Sequence, residues 1–450
     1  MDDGALAQAA ALVAAGKCDE AAPLVVSLLN GNPDDPKALF MAGVVHASAG
    51  RFGMAIAFLR QCVALAPKRA EPWNNLGMAL ESIGRCGDAR EAFERALSLS
   101  PGHATYIANL ALTWLQEGDA MRAVNLAEQA LRIDPGQTGA RVTRGFARLQ
   151  TGRWAEGAWD DVSLALGGKY RKRLDYGLPE WTGQDDAHVI VYGEQGLGDE
   201  ILYASCLPDV VERARKVTLD CDERLAGLFA RSFPTVEVHG TRRAEGVPWL
   251  GGQTHQIAIG ELPRLFRYRP TDCPGHPYLS ADPDRHAMYD ALQARHDRGL
   301  PRIGIAWTGG TAGTAGHRRR LDPALFAPLT ERAALFSLQY DDPGPAWPAL
   351  HWQRATGRGV DFDETAAFIA ALDGVIAVDT TAAHAAGALG VPTIVLVHDR
   401  CNWICASWQV DRSVWYGSVQ FFRQLADEPW ADTMARFLRS EMLDRFMGAL

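Results

Sequence analysis

Small and apolar residues recur every 34 positions through the first third of the chain. Four such series run in step: Gly16, Gly50, Gly84, Gly118 and Gly152; Ala21, Ala55, Ala89, Ala123 and Gly157; Pro33, Pro67, Pro101 and Pro135; and Gly43, Gly77, Ala111 and Gly145. A glycine that ends one helix, a small residue that lets the next helix approach and a proline that closes the unit are typical of a helical hairpin. The pattern therefore predicts an array of hairpins.

Beyond residue 187 the apolar positions form short β-branched runs that alternate with helical segments. The runs cover residues 189–192, 216–220, 236–238, 256–259, 302–307 and 335–340, and residues 361–397 follow the order helix, strand, helix, strand. Such alternation predicts parallel, doubly wound sheets. The stretch 167–186 between the two parts is rich in glycine, proline and charge, which predicts a domain boundary.

Composition narrows the class of protein. With 450 residues the chain exceeds one ordinary domain, and 47% hydrophobic and 22% charged residues suit globular cores. A net charge of -9 argues against a protein built to bind nucleic acid. The acidic start lacks a signal-peptide pattern, no window has the length of a membrane span, and the eight cysteines are scattered. We therefore expect a cytoplasmic protein without a membrane span, metal or cofactor.

Two loops contain candidate functional residues, one in the first predicted sheet and one at the start of the second. After the first strand comes a glycine-rich loop, 193–198, and Asp199 is expected to be the N-cap of the next helix, at the strand end where α/β sheets bind ligands. The order of its glycines is not that of a dinucleotide-binding loop, which disfavours hydride transfer. The loop 308–320 after strand 302–307 combines glycines, hydroxyls and four basic side chains, which suit a diphosphate; a solvated loop is the alternative.

A second cluster of candidates lies later in the chain. Gln339 and Tyr340 end a strand where a base or ribose can lie. Asp379, Thr380 and Thr381 mark a strand-to-helix junction whose N-terminus and hydroxyls suit a phosphate. His384 follows one turn later on the same face, where it meets the same anion or is a core histidine bonded to backbone.

The repeats resemble the tetratricopeptide repeat (TPR) family. In the third repeat the matching positions are Trp73, Leu76, Gly77, Leu80, Ala89, Phe93, Ala96 and Pro101. The resemblance implies a TPR superhelix over residues 1–172, four repeats plus a degenerate capping repeat, followed by a linker at 173–186. Asn75 and Asn109 share a register, and this resembles the O-GlcNAc transferases, in which an asparagine ladder holds acceptor amides in the groove. Alternatively, both asparagines cap or solvate their own helices.

The later segments resemble bacterial TPR proteins with a C-terminal part similar to glycosyltransferase family 9, the heptosyltransferases. They are, in order, GLGDEILYASCLP, IGIAWTGG, FSLQY, DETAAFIAALDGVIAVDTTAAHAAGALGVPTIVLV and VWYGSVQFFRQ. The resemblance implies an α-solenoid followed by an α/β region with the GT-B fold, two Rossmann-like halves. The first half, 187–298, faces the acceptor, the second, 299–428, holds a nucleotide-sugar, and a C-terminal helix at 429–450 crosses back to the first half.

Residue roles follow from that resemblance. Asp199 matches the catalytic base, with Glu194 and Glu200 as rivals and a plain helix cap as the alternative role. Residues of the acceptor-side loop are Glu194, Gln195, Gly196 and Gly198. Asp379, Thr380 and His384 match the segment that meets the donor. The loop and strand-end patterns described above add as donor-binding residues Thr308, Gly309, Gly310, Arg318, Arg319, Gln339, Tyr340 and Thr381. Which arginine from Arg318 to Arg320 meets phosphate stays open. The acidic pairs Asp220/Asp222 and Asp361/Asp363 are expected to be structural rather than metal ligands.

The implied activity is an inverting, metal-independent transfer of a sugar from a nucleotide-sugar donor to a macromolecular acceptor. A protein is the expected acceptor, such as flagellin or another surface protein, recruited by the TPR groove. Two alternatives are a TPR scaffold with a non-catalytic GT-B domain and an enzyme that acts on a lipopolysaccharide-type acceptor. Nucleic acid is not an expected partner.

Overall fold

The computed structural model describes residues 3–168, 171–310, 316–339, 350–351, 361–401, 403–405 and 411–450. The chain forms two compact units, Met1–Arg148 and Leu149–Leu450. Across the described residues no helix is both long and apolar enough to cross a bilayer. The boundaries predicted at residues 172, 186, 298 and 428 stay predictions.

The first unit is built of helices that pack in consecutive pairs. Their bounds are α1 (Asp3–Ala14), α2 (Cys18–Gly31), α3 (Pro36–Ser48), α4 (Phe52–Leu65), α5 (Ala70–Ser82), α6 (Cys86–Leu99), α7 (Ala104–Gln116) and α8 (Ala120–Ile133), and α9 (Thr138–Gln150) ends in the second unit. The periodic glycines that follow helices α1, α3, α5 and α7 have φ values between 73° and 89°. Because only glycine adopts this left-handed conformation without strain, the predicted helix-ending role is confirmed.

Close packing of the helices explains two further series of periodic small residues, those that include Gly43 and Ala55. A Cβ added at Gly43 would lie 2.5 Å from Leu59 Cγ, and one at Gly77 would lie 2.6 Å from Phe93 Cε1. Ala55 and the equivalent alanines of the neighbouring repeats are fully buried. The small residues therefore let each pair of helices meet around a large apolar side chain, as the periodicity predicts.

The second unit contains two sheets with parallel pairing throughout their described strands. The first has the order β3-β2-β1-β4, with β1 (His188–Tyr192), β2 (Lys216–Asp220), β3 (Glu237–His239) and β4 (His255–Ala258). Its helices are α10 (Ala158–Ser163), α11 (Leu197–Ala204), α12 (Leu207–Arg213), α13 (Ala226–Ser232), α14 (Leu262–Phe266) and α15 (Pro283–Ala294). Every residue of β1 is buried, as expected for a central parallel strand.

The second sheet has the order β10-β9-β8-β5-β6-β7. Its strands are β5 (Arg302–Ala306), β6 (Ala334–Ser337), β7 (Leu350–His351), β8 (Gly374–Val378), β9 (Thr393–Val397) and β10 (Val419–Arg423). Helix α16 (Phe362–Ala370) precedes β8, and α17 (Thr381–Leu389) connects β8 to β9. The prediction of a helical array followed by parallel α/β sheets is thus confirmed.

The C-terminal segment differs from its prediction. It forms two helices, α18 (Trp430–Phe437) and α19 (Glu441–Gly448), rather than one crossing helix. Their apolar side chains, among them Phe437 and Phe446, lie in one core with Ile303 and Phe326 of the second sheet region. The prediction of a helix that returns to the first half is therefore wrong, because this apolar face completes the core of the second sheet.

The predicted linker packs on the first sheet. The Trp181 N–H donates to the Gln256 carbonyl at 2.8 Å, and the Trp181 side chain is fully buried. The Tyr176 hydroxyl donates to Asp220 at 2.7 Å. This segment therefore belongs to the same compact unit as the loop that carries Asp199.

Candidate active site

The loop after β1 leads directly into α11, and this sets the position of Asp199. The helix begins at Leu197 with Gly196 as its N-cap, and Asp199 Oδ2 accepts a hydrogen bond from the Gly196 N–H at 3.2 Å. The prediction that Asp199 is the N-cap is wrong, because Gly196 takes the extended backbone conformation required of that position. Asp199 instead lies in the first helical turn and bonds back to the cap.

The first turn of α11 meets the first turn of α17. A Cβ added at Gly198 would lie 3.0 Å from His384 Cδ2 and 3.6 Å from Thr381 Oγ1. Glycine at this position therefore allows the two helices to approach. Residues that are almost two hundred positions apart in sequence thus come together at the carboxyl ends of β1 and β8.

Asp199 is half-buried in this contact region. Burial raises the pKa of its carboxyl group, while the charge of His384 and the Gly196 N–H lower it. Asp379 raises the pKa further and Arg319 lowers it. The net effect is a raised pKa, which is a property expected of a general base or acid.

Asp379 is the centre of a buried ion-pair group. Arg319 Nη1 donates to Asp379 Oδ2 at 3.0 Å and to the Asp379 carbonyl at 3.2 Å, and His384 Nε2 lies 3.6 Å from Asp379 Oδ1. Burial alone would raise the pKa of Asp379, but the contacts with His384 and Arg319 outweigh it, so that the pKa is lowered. Arg319 is thus a basic residue of this loop that the structure places against Asp379.

His384 has a side-chain partner on its other nitrogen. Its Nδ1 lies 3.0 Å from the Tyr416 hydroxyl, and the two rings meet edge to face. The alternative of a histidine bonded to backbone is therefore not what the structure shows. Sequence reasoning missed Tyr416, whose contact with His384 arises only through tertiary packing.

The loop after β5 packs on the N-terminus of α17. Thr380 is the N-cap, and its hydroxyl accepts from the Ala383 N–H at 3.4 Å. A Cβ added at Gly309 would overlap the Thr380 methyl group and lie 2.8 Å from the Asp379 carbonyl, and Gly310 has a φ of 74°. The glycines predicted for donor binding therefore also allow this close approach.

The remaining donor-side candidates surround the same loop. Gln339 is buried and its Nε2 donates to the Thr308 carbonyl at 3.2 Å, so that it supports the loop. The Arg318 carbonyl accepts from the Trp430 indole at 3.1 Å. Tyr340 lies outside the described residues. The donor-binding roles of all these residues stay predictions.

The two rival bases are bound to arginines. Glu194 is buried and accepts from Arg171 at 3.0 Å and from the Gln195 side chain at 3.0 Å; burial raises its pKa. Glu200 accepts from the Asp222 N–H at 3.0 Å and lies 3.3 Å from Arg242, and burial raises its pKa to about 7. Through these contacts both glutamates help to hold the loop in place. The sequence did not predict this role, because the two arginines are far from the loop in sequence.

The two acidic pairs have hydrogen-bond and ion-pair partners within the chain. Asp220 accepts from the hydroxyl of Tyr176 at 2.7 Å and of Thr241 at 2.8 Å, and Asp361 caps α16. Asp363 pairs with Arg231. Within the part of the chain that the structure describes, no three His, Cys, Asp or Glu side chains are grouped as metal ligands.

The two groove asparagines use their side chains differently. Asn75 Nδ2 donates to the Glu71 carbonyl of its own helix at 2.9 Å, which corresponds to the alternative role. Asn109 Nδ2 donates to Asn74 Oδ1 at 2.8 Å and so links neighbouring repeats. The partner of Asn109 is therefore Asn74 rather than Asn75, and an acceptor-binding ladder stays a prediction.

Comparisons with known proteins place the repeats in a family. Residues 6–70 and 74–138 match the tetratricopeptide repeat family. Protein FlbA of Caulobacter vibrioides is 30% identical over 320 residues, which are 64% of this chain and 52% of FlbA. The chain thus spans about half the length of this curated relative.

Solved structures resemble about a third of the chain. The crystal structure of MamA is 25% identical with a TM-score of 0.30 and covers 35% of this chain and 89% of its own. The pilF protein of Pseudomonas aeruginosa is 20% identical with a TM-score of 0.34, and the match covers 38% of this chain and 77% of pilF. A thermophilic TPR protein of Thermus thermophilus is 22% identical with a TM-score of 0.33, and the match covers 37% of this chain and 90% of that protein. From the family match and the 34-residue period, the helical hairpins of the first unit are tetratricopeptide repeats, a protein-interaction scaffold.

Proposed function

We propose that this chain is an inverting, metal-independent glycosyltransferase with the GT-B fold, which moves a sugar from a nucleotide-sugar to a macromolecular acceptor. One observation carries the proposal. Asp199, at the carboxyl edge of the first sheet, lies in a group with Asp379, His384 and Arg319 at the same edge of the second. A cleft between two parallel sheets is where such folds bind substrates.

The groups present suit each step of an inverting transfer. Asp199, whose pKa burial raises, takes the proton of the acceptor hydroxyl. The acceptor oxygen then attacks the anomeric carbon from the face opposite the donor phosphate. The new carbon–oxygen bond forms as the bond to the nucleoside diphosphate breaks, and the configuration inverts.

The leaving diphosphate needs positive charge and hydrogen-bond donors. The N-terminus of α17, which begins at Thr381, presents free backbone N–H groups and the positive end of the helix dipole. Arg319 adds a guanidinium that is already oriented by Asp379. These groups stabilise the charge that develops in the transition state.

In this proposal the TPR array recruits the acceptor. TPR grooves bind peptides and helices, so a protein acceptor, such as flagellin or another surface protein, is favoured over a lipopolysaccharide-type acceptor. A second candidate function is a scaffold whose α/β unit is not catalytic. The observation in its favour is that Arg319 and His384 are already paired with Asp379.

A thermal-shift panel tests the donor site. Nucleotide-sugars and free nucleotides are added to wild type, Asp379→Asn and, as a matched control, Asp432→Asn, whose side chain is exposed on α18. A donor at 100 times its Kd stabilises the native state by about 2.7 kcal/mol, which raises the Tm by several degrees. We expect one nucleotide family to do so in wild type and the control, and not in Asp379→Asn.

Turnover then tests the base. Asp199→Asn should bind the donor with an unchanged shift and lose about 10²- to 10⁴-fold in kcat. Protein and lipopolysaccharide-type acceptors, offered side by side, distinguish the two acceptor classes. Flat melting curves for every donor with a folded wild type would contradict the enzyme and favour the scaffold.

A further inference from the structure

Arg242 follows β3 and has a backbone conformation that its residue type rarely takes. Its φ is 44°, in the left-handed region that glycine adopts without strain and that a residue with a Cβ avoids. Arg298 and Asp427 also have positive φ values, but both are exposed, whereas Arg242 is partly buried. Such strain persists only where the surrounding structure holds it, and it is often found at functional sites.

The carboxylate of Asp220, the last residue of β2, holds the strained turn. The backbone N–H groups of Thr241, Arg242 and Arg243 donate to its two oxygens at 2.7, 2.9 and 3.3 Å. Asp220 is fully buried, so its carboxylate needs such donors. The chain therefore turns sharply around Asp220, and this turn sets the direction in which the Arg242 side chain leaves the backbone.

The side chain of Arg242 reaches the loop between β1 and α11. Its Nη2 donates to the Gln195 carbonyl at 2.7 Å, and its Nη1 donates to Asp222 at 3.3 Å and lies 3.3 Å from Glu200 Oε1. A glycine at position 242 would be free of strain but would make none of these contacts. The contacts of the guanidinium thus account for a residue other than glycine at this position.

The carbonyl that Arg242 holds belongs to the same peptide unit as the hydrogen-bond donor to Asp199. The Gln195 carbonyl and the Gly196 N–H are joined by one planar trans peptide bond, so they point in opposite directions. The Gly196 N–H donates to Asp199 Oδ2 at 3.2 Å. A rotation of this peptide plane would therefore break both hydrogen bonds. A cation at the carbonyl oxygen also polarises the peptide and strengthens its N–H as a donor.

We infer that Arg242 is a positioning residue for Asp199, because it fixes the peptide between residues 195 and 196 so that the Gly196 N–H orients the carboxylate. The contact of Arg242 with Glu200, the residue after Asp199, supports the same first turn of α11. The effect on turnover rests on the proposed function, whereas the effect on the peptide does not.

The Gly196 amide reports on this peptide without any substrate. In the full chain, labelled with ¹⁵N at its 44 glycines, the Gly196 resonance is identified by its loss in Gly196→Ala, and the rate at which its proton exchanges with water is measured. Arg242→Gly keeps the left-handed backbone and removes the guanidinium. The exchange of the Gly196 proton should then become about tenfold faster or more, the size expected for one lost hydrogen bond with a charged partner.

Two further variants separate positioning from a general loss of structure. Arg243→Ala is the matched control, because the Arg243 side chain is exposed and its backbone N–H is kept. Arg242→Asn should behave as Arg242→Gly does, since asparagine tolerates a left-handed backbone and its side chain is too short to reach the Gln195 carbonyl. Glycine amides outside the loop 193–198 should keep their rates. A Gly196 rate equal to that of the control, or faster exchange throughout the chain, would overturn the inference.

Turnover tests the step from the peptide to the proposed base. Arg242→Gly should lower kcat about tenfold or more with the KM for the nucleotide-sugar nearly unchanged, because Arg242 lies in the first sheet region and the proposed donor site in the second. If wild type turns over no donor, the proposed function fails, and the exchange rates still decide whether Arg242 fixes the peptide. Faster exchange at Gly196 with an unchanged kcat would overturn the positioning of Asp199 by Arg242.

Discussion

The close approach of Gly309 to the N-terminus of α17 provides a sharp test of how the candidate site is built. In Gly309→Ala the new methyl group would overlap the Thr380 methyl and lie 2.8 Å from the Asp379 carbonyl. Contacts this short do not occur for real Cβ atoms, so either Thr380 or the loop must move. Both movements disturb groups that we assign to the donor site.

The cost follows from what each movement loses. Rotation of Thr380 removes the cap that its hydroxyl provides to Ala383, which is about 1 kcal/mol. Displacement of the loop strains a packed core, which costs about 1 to 3 kcal/mol. We therefore expect the second unit to lose about 1 to 3 kcal/mol of unfolding free energy, or roughly 2 to 5 °C in Tm.

Urea unfolding of the full chain, followed by tryptophan fluorescence and circular dichroism, measures this loss. Two transitions are to be fitted separately, since a chain with two units need not unfold in one step. Gly251→Ala is the matched control in the same unit, because no atom lies within 4 Å of its added Cβ. If Gly309→Ala were as stable as Gly251→Ala, the packing of the β5 loop on α17 would be refuted.

Three further predictions concern stability. Burial raises the pKa of Glu200 from 4.5 to about 7, so the ionisation of Glu200 destabilises the fold as the pH rises through that window. Between pH 5 and pH 8 the stability of Glu200→Gln in urea unfolding should therefore rise relative to wild type by up to about 3 kcal/mol. A difference in stability that does not change with pH would contradict this. Gly77→Ala should cost the first unit about 1 to 3 kcal/mol through its clash with Phe93, whereas Gly87→Ala, with open space around it, should not destabilise. Arg171→Met should cost about 3 to 5 kcal/mol by removing the cation that the buried Glu194 and Glu261 share, against less than about 1 kcal/mol for the more exposed pair lost in Arg173→Met. Equal losses would exclude a buried network.

Much of the architecture follows from local sequence pattern. The glycines with positive φ repeat at a fixed spacing, and a spacing can be read without any structure. Strands such as His188–Tyr192 and Lys216–Asp220 lie at the predicted positions because a buried parallel strand needs a continuous apolar run. The path of the C-terminal helices was missed, since the amphipathic pattern around Phe437 shows that a face is buried and does not show against which sheet.

In the candidate site, too, some features follow from the local sequence and others arise only from tertiary packing. Asp379 follows β8 directly and Asp199 follows β1 after the loop 193–198, so the rule that ligands bind at the carboxyl ends of parallel strands applies to both positions. The partners of Glu194 and His384 were not predictable, because Arg171 and Tyr416 come from segments with no recurring pattern and reach these residues only through folding. The N-cap position failed by three residues, since Gly196 satisfies the same backbone requirement without a side chain.

The hydrogen bonds of the carboxylates distinguish a base from a structural anion. Glu194 and Glu200 lie beside arginines, and Asp379 lies beside Arg319, so each has a cation within ion-pair distance. Among the residues that the structure describes, Asp199 accepts one hydrogen bond, from the Gly196 N–H, although a carboxylate can accept about four. Asn at position 199 would keep an acceptor for that N–H while removing a charge that burial disfavours.

These facts separate the two roles of Asp199 by experiment. If its role is only to cap α11, Asp199→Asn should retain both stability and turnover, and Asp199→Ala should lose about 1 kcal/mol. If it is the base, Asp199→Asn should be at least as stable as wild type in urea unfolding and yet lose turnover. Loss of both stability and turnover in Asp199→Asn would mean that its charge holds the contact between α11 and α17, and the assignment of the base would then have to be abandoned.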